Sequence, residues 1–137
     1  MISRLLNYLE EHRFLLFFVL TLLTLVTLAL TLLPSDSISD QRIFHYDKVG
    51  HFLMFGSWTF LLGLSRYISL RQPLPLFPIF IAGSLFGFSM EILQELLPID
   101  RQADLYDAIA DVSGCLAAVI LLKLVTLLDR PGNRARN

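Results

Sequence analysis

The chain has 137 residues, of which 55% are hydrophobic and 17% are charged, and its net charge is −1. The length allows one domain, and the charged fraction lies well below the roughly 25% of ordinary soluble domains. No cationic stripe is present, so nucleic acid is not an expected partner. The single cysteine, Cys115, excludes an intrachain disulfide and a cysteine-based metal site.

The first third of the chain predicts a surface helix followed by a membrane span. Residues 1–13 mix charged and apolar side chains, which predicts a short amphipathic helix at the membrane surface. Residues 14–33 carry no charge and are long enough to cross ~30 Å of hydrocarbon at ~1.5 Å per residue. Because Glu10 and Glu11 precede this run and no small-x-small cleavage motif follows it, we expect a retained transmembrane helix rather than a signal peptide.

Three more apolar segments follow, over about residues 48–66, 77–97 and 104–128, and proline-containing turns separate the last two from their predecessors. Together with 14–33 they predict an all-α membrane protein, a bundle of four transmembrane helices in a single membrane domain over 1–137. Small residues spaced by four predict close packing of the third and fourth spans. They are Gly83 and Gly87 in the third span and Ala110, Gly114 and Ala118 in the fourth.

Basic residues predict the orientation of the bundle. Eight of them fall on the side of the two termini, and three fall on the opposite side. The eight are Arg4, Arg13, Arg66, Arg71, Lys123, Arg130, Arg134 and Arg136, and the three are Arg42, Lys48 and Arg101. Both termini are therefore expected to be cytoplasmic, and most of the acidic residues are expected on the outer side.

Polar residues at the outer ends of spans two, three and four form three sets with helical spacing. The sets are Asp47, Lys48 and His51; Glu91, Gln94 and Glu95; and Asp104, Asp107 and Asp111. Glu91 lies seven residues before Pro98, and Asp111 lies seven residues after Asp104, so both are expected about 10 Å below the turn between the spans. This arrangement predicts a shallow extracytoplasmic pocket walled by three helices.

The acids of this pocket outnumber Lys48 and Arg101, and an unpaired ionised side chain at the centre of a span costs about 2.5–3.5 kcal/mol. The pocket is therefore expected to contain protonated carboxyls, to hold a divalent cation, or to bind a cationic ligand. No other cofactor is predicted, and no short metal motif such as H-E-x-x-H is present. The structural alternatives are helix N-caps at Asp104 and Asp47 and a network of hydrogen bonds between helices.

The motif residues resemble the VanZ-like family of small bacterial membrane proteins. The chain has D-K-V-G-H-F-L-M-F at 47–55, E-I-L-Q at 91–94 and R-Q-A-D-L-Y-D-A-I-A-D-V-S-G at 101–114. These segments are similar to the family pattern D-K-x-x-H-x-x-x-F, E-x-x-Q and R-x-x-D-x-x-D-x-x-x-N-x-x-G, and the resemblance covers about 45–120. The family usually has Asn where this chain has Asp111.

The resemblance implies a multi-pass protein of the bacterial inner membrane, in a family whose founding member is associated with low-level resistance to the glycopeptide teicoplanin. We expect a pocket that binds or modifies a membrane lipid or a lipid-linked envelope precursor. The expected catalytic residues are His51, Glu91 and Asp107, and the expected binding residues are Asp47, Lys48, Gln94, Arg101, Asp104 and Asp111. His51 or Glu91 would act as general base, and Lys48 and Arg101 would place a phosphate or carboxylate. The alternative is a non-enzymatic scaffold or accessory protein whose polar motif is structural.

Overall fold

The computed structural model of the chain describes residues 2–32, 43–70, 72–97 and 103–129. Within these ranges the backbone forms five α-helices and no strand, which confirms the all-α prediction. The helices are α1 (Ile2–Glu11), α2 (Arg13–Thr31), α3 (Ile43–Leu70), α4 (Leu76–Leu96) and α5 (Leu105–Leu128). Four of these lie close to the predicted segments, whereas α3 extends beyond 48–66 at both ends.

Three of the helices, α2, α4 and α5, are long and apolar enough to span a membrane. Their outward faces carry large apolar side chains, such as Phe14, Phe77 and Leu105, that are more than two-thirds exposed. Continuous apolar surface of this kind is unfavourable in water but is expected against lipid. The structure therefore supports the prediction that the chain is a membrane protein.

Helix α3 runs parallel to α5 and packs against it from end to end. At one end the Lys48 Nζ lies 2.8 Å from Asp104 Oδ2. At the other end the Tyr67 hydroxyl donates a hydrogen bond of 2.7 Å to Asp129 Oδ2. Helix α3 thus lies beside the full length of a candidate span, although its own sequence is less apolar than those of α2, α4 and α5.

Glycines bring the helices close together near the polar end of the bundle. A Cβ atom on Gly114 would overlap the Phe52 carbonyl oxygen and would lie 3.1 Å from the Gly56 nitrogen. Gly114 therefore packs against α3, not against α4 as the spacing of small residues suggested. Gly87 does face α5, where an added Cβ would lie 2.8 Å from Asp111 Oδ2.

The apolar core has two parts. One lies at the end of the bundle away from the polar residues and includes Leu6 of α1, so the amphipathic first helix packs one face against the bundle. The other consists of Phe55, Met90 and Cys115, from α3, α4 and α5. This second cluster lies directly below the polar residues, and each of its members is at most 3% exposed.

Candidate functional site

The polar residues predicted from three separate segments converge at one end of the bundle. Those most deeply placed are each at most 7% exposed; they are His51, Glu91, Gln94, Asp107 and Asp111. Asp47, Lys48 and Asp104 lie nearer the surface. Arg101, predicted to be part of the pocket, lies outside the described residues.

His51 is at the centre of the cluster and faces three carboxyl groups. Its Nδ1 lies 2.9 Å from Asp111 Oδ1, within hydrogen-bond distance, and 3.9 Å from Glu91 Oε1. Its Nε2 lies 4.0 Å from Asp107 Oδ2, too far for a hydrogen bond. Asp111 therefore fixes the orientation of the imidazole and leaves Nε2 directed towards Asp107, an arrangement that suits a base or a metal ligand.

Lys48 closes the cluster on its exposed side. Its Nζ lies 2.8 Å from Asp104 Oδ2 and 2.9 Å from Asp107 Oδ1, and its side chain is 44% exposed. The hydrogen bond from Lys48, with a second from the Tyr106 backbone N–H, lowers the pKa of the Asp104 carboxyl below its ordinary value. These two carboxylates use two of the three N–H donors of the ammonium group, which leaves one donor for an anion.

Asp104 joins the end of α4 to the start of α5. Its Oδ1 accepts a hydrogen bond of 2.8 Å from the Tyr106 N–H, so it is the N-cap of α5, as its position before the apolar run suggested. Its own backbone N–H donates to Glu91 Oε2 at 3.0 Å. The corresponding suggestion for Asp47 is wrong, because α3 begins at Ile43 and Asp47 lies inside the helix.

Within the cluster, two buried carboxylate oxygens have no hydrogen-bond partner among the residues that the structure describes, Glu91 Oε1 and Asp111 Oδ2. Asp111 Oδ2 lies in the space that Gly87 leaves by having no side chain. Two groups of three residues could each supply three metal ligands, one atom from each residue, and within each group these atoms lie within 4.8 Å of one another. The groups are His51, Glu91 and Asp111, and Asp47, His51 and Asp107. The cluster could therefore hold a metal ion.

Helix α2 also reaches the site, which the sequence did not reveal. Gln94 Nε2 donates a hydrogen bond of 2.7 Å to the backbone carbonyl of Thr31. That carbonyl is in the last turn of α2, where a helix supplies no N–H donors of its own to its final carbonyls. Nothing in the apolar run 14–33 identifies Thr31 as a site residue, because the contact uses its backbone.

An apolar groove between α3 and α5 begins beside the polar cluster. Its volume is about 410 Å³, and its lining includes Phe52, Gly56, Gly114 and Leu121. Phe52 directly follows His51 in the chain, and Gly114 lies one turn below Asp111 on α5. The groove and the polar cluster thus lie along the same pair of helices, although the lining of the groove consists of residues outside the cluster.

The chain was compared with family models, curated proteins and solved structures, and nothing in any of the three matches. Its function is therefore argued from the geometry of the site.

Proposed function

We propose that this chain is a VanZ-like protein of the bacterial inner membrane whose extracytoplasmic polar site binds or modifies the headgroup of a membrane lipid or of a lipid-linked envelope precursor. The observation that carries the proposal is the apolar groove along α3 and α5, the two helices that also carry most of the polar cluster. A ligand that fills both must be an amphiphile, and lipids are the amphiphiles that a membrane helix pair meets.

The spacing of residues on α3 suggests how such a ligand would lie. Lys48, Phe52 and Gly56 follow one another at intervals of four and share a face of the helix. An acyl or isoprenoid chain would lie along Phe52 and Gly56, and its headgroup would then meet Lys48 and the carboxylates of Asp104 and Asp107. An amine or a cation in the headgroup region would complement the carboxylates, and a phosphate would compete with them for Lys48.

In the enzymatic form of the proposal His51 is the general base when no ion is bound at its Nδ1, with Asp111 holding Nδ1 and with Nε2 facing Asp107. Glu91 and Asp107 would complete the catalytic set. The proposal includes a divalent cation at the carboxylate–histidine cluster, since the acids there outnumber the basic groups described. In the binding form the same residues hold the headgroup without changing it.

The proposal also includes four membrane spans, α2 to α5, with both termini in the cytoplasm. Successive helices alternate in direction, and α3 packs along the whole of α5, so a bilayer crossed by α5 would be crossed by α3 as well. The polar side chains of α3 are compatible with this, because His51 and Thr59 are buried within the bundle rather than facing lipid. The excess of basic residues on the side of the termini supports the orientation.

Cysteine labelling tests this orientation. A cysteine in place of Ala103, which is exposed at the polar end, should react with a membrane-impermeant maleimide in intact cells. A cysteine in place of Glu11, which is exposed near the opposite end, should react only after permeabilisation. The unsubstituted chain is the control, because its Cys115 is buried. The reverse labelling pattern would contradict the proposed topology.

Filling the groove tests the function. In Ala117→Phe the new ring would occupy the groove, so the amount of lipid that co-purifies in mild detergent, measured by native mass spectrometry, should fall several-fold. Ile120→Phe is the matched control, because Ile120 is on the same helix, 53% exposed, and its substitution adds a ring outside the groove lining. If both variants retain the same lipid as the unsubstituted chain, or if that chain retains none, the lipid proposal fails.

The second candidate function, a non-enzymatic scaffold or accessory protein, is favoured by one observation. The polar side chains connect all four long helices. Gln94 bonds α4 to α2, Glu91 accepts a hydrogen bond from the N-cap residue of α5, and His51 and Lys48 join α3 to the start of α5. A network of this kind would be useful for holding the bundle in register even without a ligand. Stability and ligand content therefore have to be measured on the same variants.

A further inference from the structure

His51, Glu91 and Asp111 come from α3, α4 and α5 and are at most 4% exposed. His51 Nδ1 is 2.9 Å from Asp111 Oδ1 and 3.9 Å from Glu91 Oε1. Two ligands on one transition-metal ion, each bound at about 2.0–2.2 Å, lie roughly 3 Å apart. The first separation already matches this value, and the second exceeds it by about 1 Å.

The unpartnered oxygens give an independent reason to expect a ligand here. Glu91 Oε1 and Asp111 Oδ2 are both buried, and neither has a hydrogen-bond partner among the described residues. A buried carboxylate oxygen without a donor is unfavourable, and a cation held by Glu91 Oε1 and by both oxygens of Asp111 would satisfy the two unpartnered oxygens. The nearest described ammonium group, on Lys48, is bonded instead to Asp104 and Asp107.

We infer that His51, Glu91 and Asp111 together bind one divalent transition-metal ion between the three helices. An imidazole nitrogen with carboxylate oxygens suits Zn²⁺, Mn²⁺ or Fe²⁺, whereas Mg²⁺ and Ca²⁺ take oxygen ligands alone. The inference rests on the proposed function in placing a cation at the cluster, and it adds the ligand set and the class of ion. It also gives Asp111 a role that a neutral amide would fill less well, that of a second anionic ligand.

The other candidate set, Asp47, His51 and Asp107, is a weaker ligand group. One Asp107 oxygen is already bonded to Lys48, and its other oxygen is 4.0 Å from His51 Nε2. Asp47 is only partly buried, whereas all three members of the first set are buried. Asp107 lies on the far side of the imidazole, where carboxylates beside metal-bound histidines are found, but at 4.0 Å it does not bond Nε2 in this structure.

The test is metal analysis of the full-length protein in detergent, followed by titration of the metal-free protein with Zn²⁺ and with Mn²⁺. The unsubstituted chain should contain a near-stoichiometric ion and should unfold at a higher temperature when the ion is added back. Glu91→Gln and Asp111→Asn should each bind at least about tenfold more weakly. Glu95→Gln, the same change one turn away on α4 at an exposed residue, should bind as the unsubstituted chain does.

Two results would overturn the inference. One is an unsubstituted chain that neither contains an ion nor takes one up at micromolar concentration. The other is a chain in which Asp47→Asn removes the ion while Glu91→Gln retains it, because the ion would then belong to the other set. If Glu91→Gln does not fold, as judged by helix content and gel filtration, Asp111→Asn and the unsubstituted chain still decide the question.

Metal content and lipid content are separate readouts, so this inference and the proposed function can fail independently. Protein that holds the ion but no lipid would contradict the lipid-site proposal and leave the metal site standing. Protein that holds lipid in the groove but no ion would contradict the metal site and leave the lipid-site proposal standing.

Discussion

Substituting alanine for Gly114 should destabilise the bundle by at least about 1–3 kcal/mol, the usual cost of overpacking a well-packed site. The added Cβ would overlap the carbonyl oxygen of Phe52 and lie 3.0 Å from its carbonyl carbon. Both are backbone atoms of α3, so no side-chain rotation can relieve the contact, and the two helices must separate. Thermal or denaturant unfolding in a fixed detergent measures the change.

The same substitution should also disturb the site, because Gly114 is one turn from Asp111 and lines the groove. Separation of α3 from α5 would lengthen the contact between His51 and Asp111, which is now 2.9 Å. We therefore expect Gly114→Ala to lose bound lipid and bound metal together with stability.

Gly50→Ala is the matched control. Gly50 is also a helical glycine of the polar end, but a Cβ atom there would meet nothing within 4 Å. Alanine is favoured over glycine in a helix by about 1 kcal/mol at most, so this variant should be neutral or slightly more stable. Equal destabilisation by the two substitutions would show that the α3–α5 contact is not as close as the structure has it.

The sequence predicted the helices better than it predicted the contacts between them. Length and hydropathy were enough for α2, α4 and α5, because a lipid-facing helix needs little more than an unbroken apolar run. The same criteria made α3 too short, since charged residues near both ends, Asp47, Lys48 and Arg66, marked the limits of the apolar segment and the helix continues past them. The partner of Gly114 could not be predicted, because small residues permit a close approach without determining which neighbour approaches.

Some features of the polar site could likewise be predicted from the sequence, and others could not. Counting residues from the turn placed Glu91 and Asp111 at one depth, and in the structure both do face His51. Depth depends only on the rise per residue, so it can be read from one helix at a time. The pairing of Lys48 with two carboxylates and the bond from Gln94 to α2 depend on how neighbouring helices are rotated, and no local pattern records that.

Because the site is buried, a substitution in it changes the stability of the fold as well as the binding of a ligand. A residue at the surface of an open pocket can be removed with little loss of stability, but His51 is only 3% exposed and lies within hydrogen-bond distance of a fully buried Asp111. Removing His51 alone therefore damages both the fold and any ligand site. A single substitution cannot separate the scaffold function from the binding function.

A pair of substitutions can separate them. His51→Leu alone should cost about 3–5 kcal/mol, because it leaves Asp111 buried without its partner. His51→Leu combined with Asp111→Leu removes both polar groups, and replacing a buried pair by apolar residues of similar size is often neutral or stabilising. The double variant should therefore recover most of the lost stability, and the coupling between the two positions is measured by a double-mutant cycle of unfolding free energies.

Ligand content of the recovered double variant then decides between the two functions. If the cluster is a binding site, the stable double variant should still lack metal, because its imidazole and one carboxylate are gone. It should also hold less lipid, although its groove is intact. If the cluster is only structural, the double variant should behave as the unsubstituted chain in every assay that depends on a folded bundle. A double variant no more stable than His51→Leu would contradict the pairing of His51 with Asp111 itself, because the cost would then come from lost packing at residue 51 rather than from the uncompensated carboxylate.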